Sequence, residues 1–357
     1  MFDFILCICA CVLSYILSTI LYRPTHTPAF QNMSTRGGIA VILSSVVCVA
    51  ASVLSTVSVA ENIFFPVLLW ALGLSLYGLT SHRLNRFWTY LLICGLTAFA
   101  LPPSWVFFHG AVPFWAERLI ITLVWALSLH ISATLNALPV LMPAFIRLQL
   151  IALILLNLWT PNLQLAWVLA ICLGAQIGFS FYARKKPFLR QGKSGIVPAM
   201  YLMGFFWLQT VEAAPVARGG LWLACLVAYS YMLWEVCYSF AYRWIFRKKQ
   251  EPKMLSFFFV QAVQRHLDKS AEVTRFFSNR WSLLILFAVV LGILRAPAAS
   301  LLWPTGLVLL IVFAEIYLQI KAFSGKVTST TSMFSVIPMC KDIFAGYKEL
   351  FRKIKDK

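Results

Sequence analysis

The chain has 357 residues, of which 61% are apolar and only 12% charged, with a formal net charge of +18. A soluble globular chain carries about 25% charged residues, so this composition excludes an ordinary soluble protein. Apolar stretches recur from end to end, each long enough to cross a bilayer core as a helix. The longest polar gap, about Arg247 to Arg280, is too short for an ordinary domain.

In chain order, the hydropathy pattern predicts spans near 3–22, 38–58, 62–80, 88–102, 117–133, 143–159, 163–181, 196–213, 219–243, 281–298 and 300–320. The first stretch lacks the basic leader and small-residue cleavage pattern of a signal peptide, so it is read as an uncleaved helix. The expected fold class is an all-α integral membrane protein of about 11 transmembrane helices. One polytopic unit covers 1–325, and a basic tail covers 326–357.

A charge of +18 raises nucleic acid as a partner, but its distribution excludes that reading. When alternate loops are assigned to one side, that side collects 27 of the 30 Lys and Arg residues. The other side holds Arg118, Arg218 and Arg295. Short loops rich in Lys and Arg stay cytoplasmic, so the N-terminus is expected outside and the C-terminus inside. An odd number of spans requires the same arrangement. The basic face is expected to attract anionic membrane lipids or phosphorylated substrates.

Two segments stand apart from the spans. A cytoplasmic loop over about 244–280 opens with Arg247-Lys248-Lys249 and continues with helical spacing from Phe257 to Phe277. In the tail, Ile343, Phe344, Tyr347, Leu350, Phe351 and Ile354 share one helical face flanked by Lys341, Lys348, Arg352 and Lys355. That amphipathic helix either lies on the cytoplasmic leaflet or packs on the end of the bundle.

The chain has 12 acids, and only Glu235 and Glu315 fall well inside predicted spans. Charges inside a membrane are costly, so each is read as functional or as paired with a nearby Tyr, Ser or Arg. Asp268 and Glu272 are four residues apart and read as solvated charges balancing Arg265 and Lys269. No acid cluster forms a magnesium site, and the five histidines lack zinc-ligand spacing. No cofactor is expected. The nine cysteines contain no C-x-x-C pair and read as small apolar packing residues. Gln191-Gly192-Lys193-Ser194-Gly195 follows the basic run Arg184-Lys185-Lys186. It reads either as a basic turn or as a glycine-rich turn whose backbone amides cradle phosphate at a helix start.

Several loops on the basic side follow one family in order and spacing. Thr35-Arg36-Gly37-Gly38 closes the segment RPTHTPAFQNMSTRGGIAV before the second span. Gly73 and Arg86 bracket the turn between the third and fourth spans. WALSLHISATLNALP starts at Trp125 and carries Ser128, Ile131, Thr134 and Asn136 at motif positions. Gly192 and Gly195 bracket Lys193 and Ser194 before the eighth span, and Gln261, Val273 and Thr274 follow in the large loop. Together these resemble the polyprenyl-phosphate sugar-1-phosphate transferases. Those enzymes move a phospho-sugar from a UDP-sugar onto a lipid phosphate, and they include the peptidoglycan lipid-I synthase and the initiating transferases of O-antigen.

The resemblance implies ten or eleven helices in a bacterial inner membrane, with a cytoplasmic site that uses magnesium in the active family. Its implied partners are polyprenyl phosphate, UDP-sugar and other envelope-glycan enzymes, including an active paralogue. The sequence departs from the family at each acid that carries chemistry. Its Asp-Asp pair has no counterpart, since no acid lies between Phe64 and Ala116. Asn or Asp positions hold Ser128, Ile131, Thr134 and Asn136, Lys193 replaces an aspartate, and phenylalanines replace the family histidine. Metal and electrostatic assistance supply several kcal/mol to such a transfer, so no catalytic residue is expected. The expected function is that of a degenerate member that binds phosphate or nucleotide through Thr35, Arg36, Gly37, Gly38, Arg86, Ser128, Asn136, Gly192, Lys193, Ser194, Gly195 and Gln261. Two other readings are an active transferase with a non-standard site and a transporter or lipid flippase built on Glu235 and Glu315.

Overall fold

The computed structural model describes residues 2–21, 37–56, 64–80, 86–105, 112–135, 141–160, 162–185, 191–214, 218–246, 270–294 and 298–323. They form helices α1 (Phe2–Leu21), α2 (Gly37–Thr56), α3 (Phe64–Thr80), α4 (Arg86–Ala100), α5 (Phe114–Leu135) and α6 (Leu141–Trp159). These are followed by α7 (Leu163–Lys185), α8 (Gly192–Ala213), α9 (Arg218–Phe246), α10 (Ser270–Leu294) and α11 (Ala298–Phe323). No strand occurs among the described residues. Six helices (α1, α2, α5, α6, α7 and α8) contain stretches long and apolar enough to cross a membrane. The chain is therefore an all-helical, multi-pass membrane protein.

A helix satisfies its backbone groups within lipid along its own length, and the hydroxyls follow the same constraint. Buried Ser44, Ser45, Thr97, Thr122 and Thr210 each donate to the carbonyl four residues earlier in their own helix. Each polar side chain is thus satisfied without a partner helix.

α8 is the centre of the bundle. It is apolar on all sides, and 89% of its spanning window is buried, as expected for a helix enclosed by others. It touches α2, α3, α5, α6 and α9. α1 lies at the periphery, with only 17% of its window buried, and packs most heavily on α7. That contact depends on Gly174 and Gly178. A Cβ at Gly174 would lie 2.6 Å from the Cys7 carbonyl oxygen, and one at Gly178 would strike the backbone of Cys11. Small residues four apart let the two backbones approach closely where lipid supplies no hydrophobic drive.

α5 meets α8 through a similar notch. The Trp125 indole stacks on the Tyr201 ring at 5.0 Å and 11°, and its Nε1 donates to the Tyr201 carbonyl. A side chain at Gly204 would collide with that indole. Trp125, read from sequence as a family position, is a packing residue here.

Three boundaries differ from expectation. Gly192–Gly195 forms the first turn of α8 instead of a loop preceding a helix at 196. Gly192 has φ +61°, a conformation that glycine adopts without strain. α10 starts at Ser270, eleven residues before the expected span, and α9 runs on to Phe246. Residues 270–280 are too polar to register as a span, yet they remain helical. Phe277 and Trp281 pack against Tyr231 of α9 at 5.4 and 4.9 Å. The large loop is correspondingly shorter than 244–280. Its remainder and the tail over 326–357 lie outside the described residues.

Gly204→Val is expected to lower stability by about 1–3 kcal/mol through overpacking, and by much less in a Trp125→Ala background. Thermal unfolding of the four proteins in detergent measures the coupling, and additive effects would contradict the notch.

Candidate functional site

The start of α8 is the point where separate parts of the chain converge. A Cβ on Gly38, at the start of α2, would overlap Gly195 N and Gln191 O, so the two backbones touch there. A Cβ on Gly78, near the end of α3, would lie 2.7 Å from Ser194 Cα and 2.8 Å from Ser194 N. Ser75 Oγ on α3 donates to the Ser194 carbonyl at 2.7 Å. Ends of α2, α3 and α8 therefore meet at one end of the bundle, called here the base.

A polar chain extends this contact sideways. Gln191 Nε2 donates to Gln176 Oε1 on α7, Ser180 Oγ donates to the Gln176 carbonyl at 2.8 Å, and Arg147 on α6 donates to Ser180 Oγ. Gln191 and Gln176 are almost fully buried. Four helices besides α8 thus contribute to the base. Gln191 makes no side-chain cap at the start of α8. Lys193, in this first turn, is half-buried.

The structure brings Gly37, Gly38, Gly192, Lys193, Ser194 and Gly195 into one place. Ser128 is not among them. It sits on α5 beside an apolar cavity, and its hydroxyl donates to the Trp125 carbonyl of its own helix at 2.7 Å. The adjoining part of α8 is Gly204–Leu208, about 14 Å along the axis from Gly195. Arg86 begins α4, but its side chain lies outside the described residues, as do Thr35, Arg36, Asn136 and Gln261. Gln176, Ser180, Ser75 and Gly78 carry no motif of their own. Their link to the base emerges only from helix packing.

Away from the base, an ion pair links α10 and α11. Glu315 on α11 accepts from Arg280 on α10 at 3.0 Å. This pairing accounts for one of the two intramembrane acids behind the transporter reading. The other, Glu235, has its side chain outside the described residues. At the opposite end, buried Arg118 donates to the carbonyls of Pro102 and Trp105 at 2.9 Å each and lies over the Phe114 ring. Those carbonyls follow the end of α4, where a cation is favoured. In the interior, Gln149 on α6 donates to the Ala228 carbonyl of α9 and accepts from Trp207 Nε1 of α8. Asn157 on α6 donates to Thr210 of α8. None of these pairs forms a group of three or more metal-ligating side chains, and no such group occurs among the described residues.

The chain matches no protein-family model and no curated protein sequence.

Arg280→Met alone is expected to cost about 1–3 kcal/mol by removing the guanidinium that donates to the half-buried Glu315 carboxylate. Arg280→Met with Glu315→Leu should recover most of that loss. Unfolding midpoints of the single and double variants check the pair, and a double variant no better than the single would contradict it.

Proposed function

We propose that this chain is a catalytically degenerate relative of the polyprenyl-phosphate sugar-1-phosphate transferases. In this reading all eleven helices span the membrane, the N-terminus lies outside, and the base faces the cytoplasm of a bacterial inner membrane. The observation that carries it is the meeting of Gly37–Gly38 with Gly192–Gly195 at the start of α8. These are the two glycine segments that most closely follow the family pattern, and they come from distant parts of the sequence.

The chemistry supported at this place is retention of phosphate without turnover. An anion at a helix N-terminus gains about 0.3–1 kcal/mol, less than one tenfold step in affinity. The start of α8 therefore needs added positive charge to hold a lipid phosphate or a nucleotide. Lys193 supplies one such charge, and the basic segments on this side supply more. A lysine in place of the family's aspartate puts a cation where the active enzymes place a carboxylate, and a cation binds phosphate directly. Without the carboxylates, neither metal placement nor activation of the lipid phosphate is provided. Such a protein serves as a partner or regulator of an active transferase in envelope-glycan synthesis.

Proteoliposomes with radiolabelled UDP-sugars, undecaprenyl phosphate and magnesium test the reading. The expected result is no lipid-linked product, with retention of polyprenyl phosphate that Lys193→Glu weakens about tenfold, as removal of a charged phosphate contact does. Metal-dependent product would contradict the degenerate assignment. Absence of binding to both lipid phosphate and UDP-sugar would contradict the family assignment.

A further inference from the structure

We propose that the cavity between α5, α8 and α9 is a resident lipid site that takes one acyl chain of a bilayer glycerophospholipid. The site is separate from the base and does not rest on the reading above. α5 and α9 both pack on α8 but touch each other only sparsely. The space between them is a cavity of about 180 Å³. Its floor is α8 at Gly204 and Trp207, and its walls carry Trp125 and Ser128 from α5 and Tyr229 and Met232 from α9. It persists because Gly204 adds no side chain and because Trp125 is drawn toward α8 by its stack on Tyr201.

Water is a poor occupant. A buried water needs two to four polar partners. The Ser128 hydroxyl is already directed to its own helix, and the Tyr229 hydroxyl, buried without a hydrogen-bond partner, is a single group. An apolar cavity of about 150 Å³ takes up a molecule the size of benzene, so this one accepts a run of several methylenes.

The mouth identifies the occupant. Val124 and Leu226 stand at the opening and are 62% and 54% exposed. They belong to the apolar surface that α5 and α9 present to hydrocarbon, so the cavity is continuous with the bilayer interface. Nothing polar at the mouth selects a headgroup. The chain enters sideways while its headgroup stays at the membrane surface.

The test uses the full chain in nanodiscs of phosphatidylethanolamine and phosphatidylglycerol, with a trace of phospholipid bearing a mid-chain diazirine. After photolysis, peptide mapping should find label concentrated on Trp125, Tyr229 and Met232, above the level on Leu307, a lipid-exposed residue of α11. Val124→Trp closes the mouth from an exposed position and Ser128→Leu fills the interior. Each should abolish the concentrated label and leave that on Leu307 intact. Label spread evenly over lipid-facing residues, or unchanged in both variants, would overturn the proposal. So would loss of the label to a small mole fraction of undecaprenyl phosphate, which would assign the cavity to an isoprenoid chain.

Discussion

The bundle depends on how closely α8 is approached by its neighbours. Lipid tails are as apolar as the side chains, so no hydrophobic term favours one helix against another within the membrane. What remains is van der Waals packing, which is steep in distance, and a limited number of hydrogen bonds. Gly38, Gly78 and Gly204 each remove a side chain at a point where another part of the fold presses on or beside α8. At Gly38 and Gly78 the contact is backbone on backbone, and neither partner can move aside. Contacts of this kind define position more sharply than the apolar surfaces around them.

Polar groups in the interior are few and matched. Interhelical hydrogen bonds in membranes are worth about 0.6 kcal/mol on average, so the links of Gln149 to Trp207 and of Asn157 to Thr210 add little stability singly. Their larger effect is on register. Sliding α6 against α8 by one residue would break the Gln149–Trp207 and Asn157–Thr210 bonds in a medium that offers no substitute for the Trp207 N–H. The Arg280–Glu315 pair acts similarly on the outlying α11, where an unpaired charge would cost more than any one packing contact.

Much of the helical framework was legible because each helix must satisfy lipid along its own length, which is a local property. The ends of α10 and α8 were not. A span is recognised by hydropathy, whereas Ser270–Arg280 is held helical by backbone bonds and by Phe277 and Trp281 packing on Tyr231. The glycines of the base were legible as glycines next to basic residues, and their meeting was expected only through the family pattern. The partner of Glu315 was not legible, since nothing in the sequence between Arg280 and Glu315 indicates that α10 and α11 pair there. Gln176 and Ser180 were equally silent, and Gln191 was legible only as the start of the glycine-rich turn; the three become a chain only once α7 meets α6 and the residue that precedes α8. Ser128 illustrates the opposite error. Its motif position placed it with the base, but its helix carries it beside an apolar cavity.

The most direct measurement compares two glycines on α3. Gly78 faces the backbone of Ser194, whereas a side chain at Gly73 would meet open space. Each is replaced by alanine, and unfolding midpoints are measured in nanodiscs. Close approach to α8 predicts a clear fall for Gly78→Ala and an unchanged or raised midpoint for Gly73→Ala, since alanine is the better helix former by about 1 kcal/mol. Equal midpoints for the two variants would contradict the convergence of α2, α3 and α8, and with it the assembly of the site.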